Sequence, residues 1–178
     1  MPLSEDDIGI IEAFRNFVEG AVDADDRYGL VGRHDAEDAS TRATRFEAGP
    51  ECWLEVAIHI ADPRVMVGFL TNDESLGEEA ERIIKDSGST VQAHVGEGFR
   101  EAGLAWPEPP VELIREPGEY FYFGTPLDLD EIPDLEWNDI RDKVVRMLEG
   151  YLIAFGPAIE IVAVDDEDLG EEEDEDDW

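Results

Sequence analysis

The chain has 178 residues, 42% of them hydrophobic, with 13 Lys and Arg against 47 Asp and Glu and a formal net charge of −34. That length suits one domain with a sizeable core. The charge excludes the basic surface on which phosphate binding and counterion release depend, so neither nucleic acid nor an anionic membrane leaflet is an expected ligand.

In chain order, Ser4 followed by Asp7 makes a capping-box variant ahead of Ile10, Ile11, Phe14, Phe17, Val18 and Ala21, and the spacing predicts an amphipathic helix over 5–22. Residues 23–41 are polar and carry only the hint of a short strand around Tyr28–Val31. Three strands are then expected: Thr41–Ala48, Cys52–Ile60 and Val65–Leu70. The second alternates, with Leu54, Val56, Ile58 and Ile60 on one face and Trp53, Glu55, Ala57 and His59 on the other. Ala61-Asp62-Pro63-Arg64 is turn chemistry and closes a hairpin.

Asn72 or Asp73 can cap a helix through Leu76, Ala80, Ile83 and Ile84, which Ser87-Gly88-Ser89 interrupts. A second stripe, Val91, Val95, Phe99 and Ala102, contains Gly96 and Gly98 and can end at Gly103. Trp106–Pro110 reads as an extended linker, and Val111–Glu116 and Glu119–Gly124 as a second hairpin about Pro117-Gly118. In its second strand Tyr120 and Tyr122 share one face while Phe121 and Phe123 share the other, so both faces are expected to be covered. After an acidic loop, Pro126–Pro133, a helix is expected over Asp134–Phe155, stopped by Gly156-Pro157, with Ala158–Val164 as a candidate strand. The result is one α+β domain, residues 1–164, with an antiparallel sheet of about five strands and helices packed against it in the order α-β-β-β-α-β-β-α. Residues 165–178 form an acidic tail expected to be disordered.

The acidity is not confined to that tail. Without its 11 acids the rest of the chain still has 36 acids against 13 bases, and the bases are 11 Arg and only Lys85 and Lys143. Excess carboxylates with few lysines suit a protein working at molar salt, where the Debye length of about 3 Å screens repulsion. No apolar run approaches the roughly 18 residues of a membrane span. The start, MPLSEDDIG, lacks the regions of a signal peptide, and the single Cys52 leaves no internal disulfide, so cytoplasmic residence is expected.

The order of elements resembles the type III secretion chaperone-like fold, including its YbjN-type relatives. The resemblance rests on Ile8–Val22, Trp53–Leu70, Leu76–Leu104, Val111–Phe123 and Ile140–Phe155. It implies a curved antiparallel sheet with helices on one side and a non-enzymatic role, binding a partner segment or stabilising another protein. It carries no catalytic residues.

Read residue by residue, the chemistry is sparse. His34, His59 and His94 match no zinc spacing, and the latter two read as surface residues, although His59 with Glu55 two positions earlier makes a conceivable metal or proton pair. Cys52 reads as buried and structural. Asp128, Asp130 and Asp134 suggest a calcium loop, but Pro133 stands where an EF-hand needs glycine and Asp139 where it needs glutamate. No metal, cofactor or catalytic residue is assigned. The aromatics Trp53, Trp106, Tyr120, Tyr122 and Trp137 read first as core residues and second as candidates for recognition. The leading expectation is a protein-binding domain, chaperone-like or adaptor, using Trp53, Glu55, His59, Tyr120 and Tyr122. The alternatives are an acidic decoy or DNA mimic that binds a basic or DNA-binding protein through the tail and the 128–136 loop, and an enzyme with dispersed groups drawn from His59, Glu55 or Cys52. A homodimer is left open.

Overall fold

The computed structural model describes residues 3–116 and 118–175, with side chains through Ile161. Its order is α1 (Glu5–Val22), β1 (Val31–Arg33), β2 (Thr41–Gly49), β3 (Cys52–His59), β4 (Arg64–Thr71), α2 (Glu74–Asp86), α3 (Val91–Glu101), β5 (Glu112–Glu116), β6 (Tyr120–Asp128), a 3-10 helix (Ile132–Glu136) and α4 (Asn138–Glu175). The six strands form one antiparallel sheet in the order β1-β2-β3-β4-β6-β5. The architecture is therefore α+β, as expected, with one strand more than the five anticipated.

The extra strand is β1. Pairing with β2 already begins before it, where Gly29 donates to the Glu47 carbonyl at 2.7 Å and Glu47 donates to that of Leu30 at 2.9 Å. Strand β6 also continues past the anticipated end at Gly124 and takes in Pro126. The proline is tolerated because β5 pairs only as far as Gly124, leaving that edge of β6 with no strand whose acceptors need a donor.

Local signals fix the helix starts. The Ser4 hydroxyl accepts from the Asp7 amide at 3.0 Å, Asp73 accepts from Ser75 at 3.0 Å, and Thr90 accepts from Ala93 at 3.1 Å. Gly103, at φ +87°, ends α3 in the left-handed conformation that glycine favours. The buried stripe of α1 is Ile11, Phe14, Arg15, Val18 and Val22, while Phe17 is largely exposed beneath the Arg141 guanidinium.

Helix α4 differs most from expectation. It starts at Asn138, after the 3-10 helix, and runs through Gly156-Pro157 rather than stopping there. Pro157 removes one amide donor, yet Ala158 and Ile159 immediately after it are buried, and their packing holds the next turn. The candidate strand Ala158–Val164 is helix instead. The same helix extends into the expected tail as far as Glu175, and residues 176–178 lie outside those described, as does Pro117 of the second hairpin's turn.

The main core lies between one face of the sheet and the helices. It joins Leu54, Val56, Ile58, Val67, Phe69 and Phe123 to Leu76, Val95, Phe99, Val144, Met147, Leu148 and Phe155. Phe155 is its centre: it stacks on Phe69 at 4.7 Å and on Tyr151 at 5.7 Å, with Phe123 tilted against it at 5.0 Å. Glycines 98 and 150 let α3 and α4 approach closely, since a Cβ on Gly98 would meet the Gly150 carbonyl and lie 3.1 Å from that of Ala154. His94 belongs to this contact and is not a surface residue: its half-buried ring donates from Nε2 to the Ala154 carbonyl at 2.7 Å.

Candidate functional site: the open face of the sheet

The other face of the sheet carries a second, smaller apolar cluster. Ala43, Ala57, Met66, Leu70 and Tyr122 are buried there, with Trp53 and Tyr120 packed beside them, and every one is a strand residue. Phe121 and Phe123 are covered as expected, but no helix residue belongs to the cluster on the Tyr120–Tyr122 side. Both faces of β6 are covered, as expected, but the Tyr120–Tyr122 side is covered by strand residues alone among those described. Tyr122 is nevertheless only 7% exposed, and the reason is local.

Strand register arranges this face in rows. Trp53, Leu70, Tyr122 and Ile114 form one row, and Arg45, Glu55, Gly68, Gly124 and Glu112 the next. Ala43, Ala57, Met66 and Pro126 follow, then Thr41, His59, Arg64 and Asp128. The two glycines leave a trough at the centre of the second row, and the Tyr122 ring lies in it. A Cβ on Gly68 would come within 2.9 Å of the ring's Cζ, and one on Gly124 would strike the hydroxyl. The chain thus buries Tyr122 against bare backbone rather than beneath a helix.

Above the rows lies a hollow of about 530 Å³. All five residues singled out from sequence, Trp53, Glu55, His59, Tyr120 and Tyr122, line it. Trp106 and Trp137 do not: Trp106 packs beside Phe99 under the Lys143 ammonium, and Trp137 is exposed elsewhere. Sequence reading missed others that line it, among them Arg45, Arg64, Met66, Leu70, Glu112 and Ile114.

The electrostatics are uneven. Glu55 does not face His59 as a working pair; its carboxylate accepts from Arg45 Nε at 2.9 Å across the β2–β3 ladder. Burial, and then the Arg64 charge, pushes the His59 pKa below its usual value, so the ring is neutral at pH 7. Arg64 has no ion-pair partner among the described residues, and its Nε is buried without an acceptor. The Tyr122 hydroxyl is likewise buried without a partner among the described residues. Burial, reinforced by Glu55 and Glu112, raises its pKa well above that of free tyrosine, so it stays protonated. Glu112 and Glu119 bring negative charge to the exposed rim.

Catalytic alternatives find little in the geometry. Cys52 lies on the helix side of the sheet, wholly buried, and burial pushes its thiol up to about 12, far from a neutral-pH thiolate. Asp134 is buried and accepts from the amides of Asp130 and Glu131, capping its own 3-10 helix rather than presenting a cation site. Among the described residues no group of three or more His, Cys, Asp or Glu side chains is placed to hold a metal ion, and no helix is long and apolar enough to cross a membrane.

Compared with known protein families, with curated proteins and with solved structures, the chain matches none. The site's own geometry therefore carries the functional argument.

Proposed function

We propose that this is a non-enzymatic binding domain, chaperone-like or adaptor, working in the cytoplasm with a surface suited to high salt, and that its open sheet face receives a segment of another protein. The observation carrying the reading is the second apolar cluster. Trp53, Met66, Leu70, Tyr120 and Tyr122 surround a hollow on a face where no described helix residue joins the cluster, inside a charged rim of Arg45, Glu55, Glu112 and Glu119. An apolar centre within a polar rim is the anatomy of a recognition surface, and Trp and Tyr are the side chains most often found at its energetic centre.

The test is partner capture from host lysate at native salt, with bound proteins identified by mass spectrometry, comparing wild type with Trp53→Ala and Tyr120→Ala. Both tryptophan and tyrosine are partly exposed, so both variants should stay folded. The reading requires one stoichiometric partner that survives high salt and is lost from the variants. Equal capture by wild type and folded variants refutes it. A partner that the variants retain but that added salt strips away would instead support an acidic decoy for a basic protein.

A further inference from the structure

Two polar groups in the hollow are left in want of an acceptor. The Tyr122 hydroxyl is buried in the glycine trough, and Arg64 Nε is buried at the end of the face towards which the Tyr122 ring extends. Arginine only donates, and a protonated phenol donates as readily as it accepts. Glu55 on the same face is engaged by Arg45, and Asp128, opposite Arg64 in the β4–β6 register, forms no ion pair with it among the described residues. Leaving such donors unmatched is costly, and more so when they are charged. The unmet demand is therefore for an anionic acceptor, although the chain as a whole carries −34.

The walls add a second constraint. Trp53, Met66, Leu70 and Tyr120 stand around the same hollow of about 530 Å³ as the two donors, so one ligand volume meets an apolar wall and a cationic donor together. An Asp or Glu side chain would supply the anion but no apolar group. A chain-terminal residue supplies both from one Cα, with the side chain and the α-carboxylate diverging. We infer that the open face recognises the C-terminal residue of a partner segment, an apolar side chain seated against Trp53 and Leu70 and its free carboxylate held by the Arg64 guanidinium and the Tyr122 hydroxyl. This rests on the protein-binding reading above and narrows it. Glu112 and Glu119 at the rim oppose a second negative charge, which favours a segment whose penultimate residues are neutral or basic.

The experiment measures binding of acetyl-Gly-Gly-Phe with a free C-terminus and of its C-terminal amide by titration calorimetry at fixed molar salt, up to millimolar peptide. Wild type, Arg64→Gln, Arg64→Lys and Tyr122→Phe are compared after their melting curves establish that each is folded. The acid should bind wild type at least about tenfold tighter than the amide, the least expected of charged hydrogen bonds. Arg64→Gln should abolish that preference, Arg64→Lys should retain part of it, and Tyr122→Phe should reduce it. Equal binding of acid and amide by wild type overturns the terminal-carboxylate inference while leaving a protein-binding face intact. A preference that survives Arg64→Gln also overturns it, as does failure of both peptides to bind; the broader reading then stands or falls on partner capture alone.

Discussion

Two buried tyrosines allow the same substitution to be made with opposite expected signs. Tyr151 is fully buried, and its hydroxyl shares a hydrogen bond of 2.7 Å with Thr125 Oγ1, itself fully buried on β6. Tyr122, three residues earlier on that strand, is 7% exposed and its hydroxyl has no partner among the described residues. Tyr151→Phe removes that hydrogen bond and leaves the buried Thr125 hydroxyl without its partner, at a cost of about 1–3 kcal/mol. We expect a loss of about 2 kcal/mol. Tyr122→Phe removes a polar atom whose desolvation nothing offsets, so the ligand-free protein should be unchanged or more stable by up to about 1 kcal/mol.

Urea unfolding at constant molar salt, with the slope checked for constancy, gives both values. Calorimetry gives an independent reading, since each kcal/mol shifts the midpoint by about 2–4 °C in a protein of this size. Tyr151→Phe should therefore melt about 4–8 °C lower and Tyr122→Phe no lower than wild type. If Tyr122→Phe falls as far as Tyr151→Phe, the Tyr122 hydroxyl is making a good hydrogen bond in the free protein. The donor count on which the carboxylate site depends would then be wrong.

Three further outcomes can be checked on the same material. The Arg15 guanidinium, 4% exposed, grips Asp35 at 2.8 and 3.1 Å and holds that carboxyl below its usual range. A depressed pKa contributes stability that is present above the unfolded value of about 3.9 and lost as pH falls through the folded one. Asp35→Asn should cost about 1–3 kcal/mol at pH 7, discounted for the partial exposure of Asp35, and the gap to wild type should close below about pH 4; a gap independent of pH counts against the ion pair. Phe155→Ala should cost about 3–5 kcal/mol by urea unfolding, because the ring is 1% exposed among four aromatic neighbours; a loss under about 1 kcal/mol would mean that the core collapses freely around the gap. With net charge −34, the thermal midpoint should climb steadily from dilute buffer to molar KCl, and a flat or falling curve would remove the argument for a surface matched to high salt.

Local signals made much of this fold legible. Ser4 and its acidic first turn give α1 its observed bounds, and the strict alternation of Cys52–His59 separates the two faces of β3. Where several forces competed, the pattern misled. Gly156-Pro157 looks like a helix stop, but burial of Ala158 and Ile159 outweighs one missing donor. Gly96 and Gly98 look like weak helix positions, yet they are where the Pro107 and Gly150 carbonyls come too close for any Cβ. The 23–41 segment is unreadable locally because its order comes from distant arginines: Arg15 reaches Asp35, and Arg33 reaches Glu12 and Glu19 of α1. Half of the candidate site was legible through β3 and β6. The parts on β2, β4 and β5 were not; for β4 the reason is that Val65–Leu70 is apolar at nearly every position and its alternation disappears once both faces bury their residues.

The composition of the open face bears on what it is for. An antiparallel sheet with helices on one side ordinarily turns polar side chains to water on the other. This chain has 47 acids to place, yet the middle of its open face holds Ala43, Ala57, Met66, Leu70 and Tyr122, with two glycines that admit the tyrosine ring and exclude any side chain of their own. Of the carboxylates that reach this hollow, Glu55 is neutralised by Arg45, while Glu112 and Glu119 stay at the rim. The main core is complete on the far side of the sheet, so this cluster is a second apolar surface additional to it, with Trp53 and Tyr120 still partly exposed at its edge. Keeping the centre apolar, with Arg64 beside it unpaired among the described residues of so acidic a chain, fits a surface selected for contact with an occupant that brings its own apolar group and its own negative charge.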